Sequence, residues 1–123
     1  MATKGSFGAF HKKRRIALGK TLRQFCLEHG LDPGNTSKLE RGRLQPLQGE
    51  KLNDRAKILC LEKGTEDWHT FFDLAAAERG MIPQDIMDRP DAVKKLPLFF
   101  RRLRGQEVTE EDLEELIKII RES

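Results

Sequence analysis

The feature of this sequence that most constrains its fold is the short connection Gly30-Leu31-Asp32 between two helical patterns. Glycine reaches positive φ at no steric cost, so Gly30 is predicted to end the first of these helices. Asp32 is predicted to cap the next helix, with Pro33 at its first position, where a missing N–H costs little. A connection of this length predicts two helices that cross closely, with Cys26 as the small residue between them.

The N-terminal part of the chain is predicted to hold three helices. The first stops near Gly19, and the second begins at its cap Thr21. The third runs to about Arg41, with Gly42 as its C-cap. The residues predicted to face inward from the second and third helices are Leu22, Phe25, Cys26, Thr36 and Leu39.

Helical patterns continue to the end of the chain, and no convincing alternation of apolar and polar residues predicts a strand. A fourth helix is predicted over roughly residues 49–62, and Thr65 caps a fifth that ends at Gly80. Three prolines in residues 81–105 predict short helical pieces, and a last helix begins at Thr109. The fold class is therefore all-α. The inward-facing residues of the fourth and fifth helices are predicted to be Leu52, Ala56, Leu59, Cys60, Trp68, Phe71, Phe72 and Ala75.

Charge is distributed unevenly along the 123 residues, although the net charge is only +3. Residues 1–43 contain ten Lys/Arg against three Asp/Glu, residues 44–88 contain five against nine, and residues 89–123 contain eight of each. A basic first third followed by an acidic segment suggests a polyanionic partner for the first third. A solvated basic face is an equal alternative on charge alone.

Composition points to a soluble intracellular protein, which we expect in the cytoplasm. The N-terminus has no apolar stretch of the secretory type, and no apolar run reaches membrane-spanning length, so no membrane partner is expected. Cys26 and Cys60 lie far apart inside helical patterns, which predicts two free core cysteines in a reducing compartment.

Catalytic and metal-binding patterns are not found, so we predict no enzyme activity, no metal and no cofactor. His69 and Asp73 lie four residues apart on one helix face but lack a third ligand, which favours a solvated pair. His11 and His29 have no carboxylate or cysteine at a telling spacing. The glycines do not form a phosphate-binding loop.

The string TLRQFCLEHGLD followed by TSKLERGRLQP resembles the helix-turn-helix of the phage repressor/Cro-type (lambda-repressor-like, Xre-type) DNA-binding family, over about residues 7–61. The resemblance implies a lambda-repressor-like helical bundle with a helix-turn-helix DNA-binding domain over residues 1–63 and a helical extension over residues 64–123. Cys26 and Thr36 differ from the alanine and branched aliphatic residue usual in the family. DPGN, residues 32–35, is also a β-turn signal, and a plain turn there would shorten the third helix.

The resemblance implies that the third helix enters the major groove of DNA and that its N-terminal half reads base edges. Asn35 can pair with adenine and Lys38 with guanine acceptors, whereas the alternatives are a helix cap for Asn35 and a solvated Lys38. Gly34 and Ser37 lie beside them. The residues implied to contact phosphates are Lys20, Thr21, Arg23, Arg41 and Arg43.

An arginine on the first helix of this family often bonds a glutamate on the third. Counted back from Gly19, that pair is Arg15 with Glu40, and Arg14 is the alternative arginine. A partly buried bidentate pair would hold the first helix on the third.

The resemblance implies a transcriptional regulator, most simply a repressor, that binds double-stranded operator DNA at the nucleoid as a homodimer. An alternative is the antitoxin of a toxin–antitoxin pair, in which the C-terminal half binds a protein toxin and the helix-turn-helix autoregulates the operon. A third interpretation is a protein-interaction module that has lost DNA binding. Residues 64–123 either extend the core or form a dimer or partner interface.

Overall fold

The computed structural model describes residues 6–105 and residue 111. Within this described part there are seven helices and no strand, which confirms the prediction of an all-α fold. The helices are α1 (Ser6–Ala17), α2 (Leu22–His29), α3 (Pro33–Glu40), α4 (Gly49–Ile58), α5 (Glu66–Glu78), α6 (Gln84–Met87) and α7 (Pro90–Leu103).

The chain divides into two compact units, one up to Met81 and one from Ile82 onwards. In the first unit α1 packs against α3 and α5, α2 packs against α3, and α4 packs against α5. The boundary predicted after residue 63 does not coincide with this division. The physical reason is that Phe71 and Ala75 of α5 are buried in the same core as Phe7 of α1.

The core of the first unit is built around aromatic rings in tilted contact. The ring centroids of Phe7 and Phe71 are 5.0 Å apart, and those of Phe10 and Phe71 are 6.2 Å apart. Burial of each large apolar side chain contributes about 1.5–3 kcal/mol of transfer free energy. Trp68 and Phe72 are only partly buried. The buried members of the cluster are Phe7, Phe25, Leu39, Leu52, Ala56, Leu59, Leu61, Phe71 and Ala75.

A carboxylate of α5 caps the beginning of α1. The backbone N–H of Phe7 donates to Oε1 of Glu78 over 2.7 Å. The first N–H groups of a helix have no partner within the helix and carry its positive dipole end, so a carboxylate there is favourable. This bond and the Phe7–Phe71 contact join the first helix of the unit to its last.

Helix α2 begins after its cap Thr21 and ends at Gly30, as the sequence predicts. The hydroxyl of Thr21 accepts the N–H of Gln24, while the Gln24 side chain accepts the N–H of Thr21, which completes a capping box. Gly30 closes the helix in the left-handed conformation, at φ 64°. Its N–H donates to the carbonyl of Cys26, so the helix ends without an unsatisfied group at this position.

The segment DPGN begins a helix and is not an isolated turn. The Asp32 carboxylate accepts the N–H of Asn35 over 2.8 Å, and Pro33 occupies the first turn of α3. The eight-residue helix ends at Glu40, slightly before the predicted end, with Arg41 as its C-cap. Gly42 follows in the left-handed conformation. The prediction that the third helix begins at Pro33, with Asp32 as its cap, is therefore confirmed.

The fourth helix is shorter than predicted, and Cys60 is not a core residue. α4 ends at Ile58, and Cys60 turns into the left-handed region at φ 57°, which exposes its side chain. Arg14 donates to the carbonyls of Leu59 and Cys60 over 2.9 and 2.8 Å and so satisfies the end of the helix. Cys26 is a buried free cysteine, as predicted.

The second unit contains α6 and α7 in its described part. The prolines were predicted to allow only short pieces, but α7 runs for fourteen residues through Pro97. Pro97 removes one backbone hydrogen bond, and burial of Ala92 and Leu96 on one face favours a continuous helix. The last helix, predicted to begin at Thr109, lies outside the described residues.

Gly8 allows the backbones of α1 and α3 to approach closely. A Cβ atom built at Gly8 would lie 2.2 Å from the carbonyl oxygen of Leu39 and 2.6 Å from that of Glu40. Real Cβ atoms do not reach such distances, and the obstructing atoms are backbone. The position of α3 against α1 therefore depends on the absence of a side chain at residue 8.

We expect Gly8→Ala to lower the free energy of unfolding by about 1–3 kcal/mol, the usual cost of overpacking. At an open helical position the same substitution would stabilise by about 1 kcal/mol, so the sign of the change is informative. Urea unfolding measures it, with Lys13→Ala at an exposed position of α1 as the control, expected to stay within about 0.5 kcal/mol. A Gly8→Ala protein as stable as the wild type would contradict the close approach.

Candidate nucleic-acid interface

The eight residues of α3 divide into an inner and an outer face. Thr36, Leu39 and Glu40 are buried, whereas Asn35 and Lys38 are exposed. Positions three and four apart lie on the same face of a helix, so Asn35 and Lys38 project together from the surface. This division gives the short helix one side that packs against the core and one side that is exposed to solvent.

Gly34 and Ser37 complete the set of residues predicted to contact bases. Gly34 is exposed, and Ser37 is partly buried at the side of the helix. A Cβ atom at Gly34 would lie 3.2 Å from the Asp32 carboxylate that caps the helix. Glycine therefore leaves both the cap and the outer surface free of a side chain at this position. Base contact by these residues stays a prediction.

The residues predicted to contact phosphates differ in whether their side chains are already engaged. Arg23 near the start of α2 and Arg43 after α3 are exposed. Arg41 is also exposed, but its Nε donates to the carbonyl of Ser37 over 3.3 Å. Thr21 is exposed, but its hydroxyl is engaged in the capping box. Lys20 is partly buried, and its ammonium group forms an ion pair with Glu28, so a phosphate would compete with this carboxylate for Lys20.

Arg15 and Glu40, the implied structural pair, meet beneath α3. Arg15 donates from Nη2 to Oε1 of Glu40 over 2.8 Å and from Nε to Oε2 over 2.9 Å. The two side chains are 7% and 5% exposed, so this bidentate pair is buried. Arg15 also donates from Nη1 to the carbonyl of Lys20 over 2.9 Å. Arg14, the alternative, is bound to carbonyls at the end of α4.

His11 belongs to the same buried network, and the sequence interpretation missed it. Its Nδ1 lies 2.8 Å from Oε2 of Glu40, and its Nε2 lies 3.1 Å from Nη1 of Arg55 on α4. These partners are 29 and 44 residues away in sequence, so no local spacing indicates them. The signal that was present is periodicity, since Phe7, His11 and Arg15 are four residues apart and share one face of α1.

The network keeps Glu40 ionised despite its burial. Burial alone would raise the pKa of the Glu40 carboxyl, but hydrogen bonds from Arg15 and then His11 outweigh it and lower the pKa to about 2. The bond to Glu40 in turn raises the pKa of Arg15. A full negative charge is therefore fixed below α3 at neutral pH, matched by the guanidinium of Arg15.

Other groups considered for chemistry do not assemble into a site in the part of the chain that the structure describes. His69 and Asp73 are both exposed on α5. Among residues 6–105 and 111, no group of three or more His, Cys, Asp or Glu side chains could hold a metal ion. No described helix is long and apolar enough to cross a bilayer.

Comparison with known proteins finds no family model, no curated protein and no solved structure that matches this chain. The candidate interface therefore rests on the residues and their geometry.

We expect Glu40→Ala to lower the free energy of unfolding by about 2–4 kcal/mol, because it leaves the buried guanidinium of Arg15 without its counter-charge. Chemical denaturation measures this loss. Asp54→Ala removes an exposed carboxylate from α4 and is expected to change stability by no more than about 0.5 kcal/mol. Equal stabilities for the two variants would show that the pair contributes nothing.

Acidification should remove the contribution of the Glu40 charge. The pKa of Glu40 is lowered from 4.5 to about 2 by folding, so its stabilisation is complete above pH 4.5 and is lost as the pH falls through about 2. The difference in unfolding free energy between the wild type and Glu40→Gln should therefore shrink over this interval. Glu50→Gln, at an exposed carboxylate, should follow the wild-type profile. A pH-independent difference would contradict this assignment.

Proposed function

We propose that this protein is a sequence-specific DNA-binding transcriptional regulator, acting most simply as a repressor. In this proposal α2 and α3 form the helix-turn-helix of a lambda-repressor-like bundle, and α3 enters the major groove of operator DNA. Occupancy of an operator blocks a promoter without chemical reaction, so the proposal involves no enzyme activity and no cofactor.

The observation that carries the proposal is the outer face of α3. Asn35 and Lys38 project from a helix whose opposite face is fixed by the buried Arg15–Glu40 pair. Asn and Lys side chains have the donors and acceptors that recognise adenine and guanine in the major groove. When the helix that carries such side chains is held in place from its inner face, they meet the edges of the DNA bases in a fixed position. Recognition of a DNA sequence requires such a fixed position.

Charge around α3 supports the same proposal. Arg23 near the start of α2, and Arg41 and Arg43 after α3, are exposed cations on both sides of the α2–α3 turn. Neutralisation of DNA phosphates releases condensed counterions and supplies most of the non-specific affinity. The basic first third of the chain agrees with this role, since Lys and Arg outnumber Asp and Glu there by ten to three.

A homodimer is part of the proposal. A single short recognition helix contacts only a few base pairs, and regulators of this architecture bind two half-sites about one helical turn apart. Two-fold symmetric DNA sites therefore suit a two-fold symmetric protein.

The proposal predicts specific DNA binding that weakens steeply with salt. We expect the protein to select a limited set of fragments from the DNA of its source organism, with log K falling linearly against log salt. Lys38→Ala should cost about 1–3 kcal/mol and relax specificity at one base position, whereas Arg43→Ala should weaken all sequences about equally and reduce the salt slope by about 1. Fluorescence anisotropy at several salt concentrations measures both.

Lys63→Ala removes an exposed cation that follows α4 and serves as the control, with specificity expected to match the wild type. Absence of DNA binding even at low salt would refute the regulator and leave a protein-interaction module.

The antitoxin of a toxin–antitoxin pair is the second candidate. The specific observation that favours it is a separate compact unit, from Ile82 onwards, whose helix α7 exposes Leu98 and Leu103. Exposed large apolar side chains are typical of a surface that meets another protein. A stable complex with the product of a neighbouring gene, formed equally well by Lys38→Ala, would favour the antitoxin over a simple repressor.

A further inference from the structure

His11 lies fully buried between the helices of the first unit. Apolar packing alone would not require a histidine at this position. It faces inward from α1, and its ring makes a T-shaped contact with the ring of Phe25 on α2 at a centroid distance of 5.7 Å. Both of its ring nitrogens have polar partners, Glu40 on α3 and Arg55 on α4. A buried polar group with two such partners connects the helices that hold them.

The two partners determine the protonation state of the imidazole ring. An ionised carboxylate only accepts hydrogen bonds, so Nδ1 of His11 donates to Glu40. A guanidinium only donates, so Nε2 of His11 accepts from Nη1 of Arg55. Neutral His11 with its proton on Nδ1 is the one form that satisfies both bonds. An imidazolium carries N–H groups on both nitrogens, and its Nε2–H would then oppose the N–H of Arg55.

We propose that His11 is a proton-sensitive bridge between α3 and α4, and that proton uptake at its Nε2 breaks the bond to Arg55 and loosens the support beneath α3. His11 and Arg55 act as positioning residues, since they reach the outer face of α3 only through Glu40. The consequence for DNA affinity rests on the proposed function, whereas the consequence for folding does not.

The charged groups around His11 shift its pKa in both directions. Within the described residues, the groups that act on it are Glu40 from α3, Arg55 from α4 and Arg15 from α1. From α2, the uncharged ring of Phe25 contacts His11, and the thiol of Cys26 acts on Arg15 and Arg55. Burial lowers the pKa of His11 most strongly, Glu40 raises it, and the two arginines lower it, so the pKa lies below its ordinary value of 6.5. The neutral bridge is therefore the stable form at neutral pH.

Folding stability should reflect this shift. Because the pKa of His11 is lower in the folded than in the unfolded chain, the unfolded chain binds the extra proton first. The stabilisation is complete above pH 6.5 and is lost as the pH falls from 6.5 through the folded-state pKa. Within that interval the folding equilibrium constant decreases by up to tenfold per pH unit. This interval begins at a higher pH than the one in which Glu40 takes up its proton.

The first experiment measures this linkage without DNA. Urea unfolding of the full chain at pH 7.5, 6.5 and 5.5 should show a falling folding constant for the wild type and for His69→Gln, at an exposed histidine. His11→Gln retains an uncharged donor and acceptor, and it should lose most of this pH dependence. An unchanged pH dependence in a folded His11→Gln protein would overturn the bridge.

A second variant covers the case in which His11→Gln does not fold. Arg55→Gln removes the charge that lowers the pKa of His11 and opposes a proton at Nε2. We therefore expect the pKa of His11, followed by its ring resonances in NMR, to rise in Arg55→Gln relative to the wild type. An unchanged or lower pKa would overturn the bridge, because a purely steric role for Arg55 predicts no rise.

The third measurement tests the effect on DNA. Protonation of exposed histidines adds positive charge and strengthens binding to a polyanion, so the bridge predicts a change of opposite sign. For the best-bound fragment at constant salt, we expect wild-type affinity to fall several-fold between pH 7.5 and a pH below the folded-state pKa of His11 found by NMR, while folded protein persists by circular dichroism. His11→Gln should not show this fall, and His69→Gln should.

The possible failures are distinguishable. Equal wild-type affinities at both pH values would overturn control of DNA binding by the bridge. Absence of DNA binding at every pH would overturn the proposed function, and the unfolding and NMR measurements would then decide the bridge alone.

Discussion

The buried carboxylate of Glu40 is the group on which the arrangement of the first unit depends. It accepts two hydrogen bonds from Arg15 and one from His11, and His11 carries the connection on to Arg55 of α4. A charge removed from water is tolerated only if its partners are present in good geometry. A displacement of α1 or α3 that breaks these bonds would leave either the carboxylate or a guanidinium uncompensated, so the polar network favours the observed packing of the two helices.

The charged residues close to α3 form two groups, one buried in this network and one exposed to solvent. Arg15 and Glu40 satisfy each other inside, and their charges contribute little to the field outside. Arg23, Arg41 and Arg43 are exposed to solvent, where a polyanion can reach them. The short helix α3 serves both groups, since its inner face belongs to the network and its outer face carries Asn35 and Lys38.

Much of the helical order follows from signals that act within four residues. The caps Thr21, Asp32 and Thr65 and the left-handed Gly30 all occur where the sequence predicts them, because a cap bonds its own first turn. The pair of Arg15 with Glu40 came from a family resemblance, since its members are 25 residues apart.

Features that depend on distant residues were missed for the same reason. The bonds of His11 to Glu40 and Arg55 span 29 and 44 residues, and no local pattern indicates them. The exposure of Cys60 follows from an early end of α4 supported by Arg14. The boundary of the first unit depends on packing of Phe71 against Phe7, which only the assembled core determines.

The link between α1 and α5 has a consequence for the order of events during synthesis. The carboxylate that caps α1 is 71 residues downstream of the N–H it receives, and the ring that covers Phe7 is also on α5. Domains fold as units while the chain emerges from the ribosome. The first helix therefore leaves the exit tunnel before its cap and the aromatic ring that covers it, and the core is completed only after Glu78 has also left the tunnel.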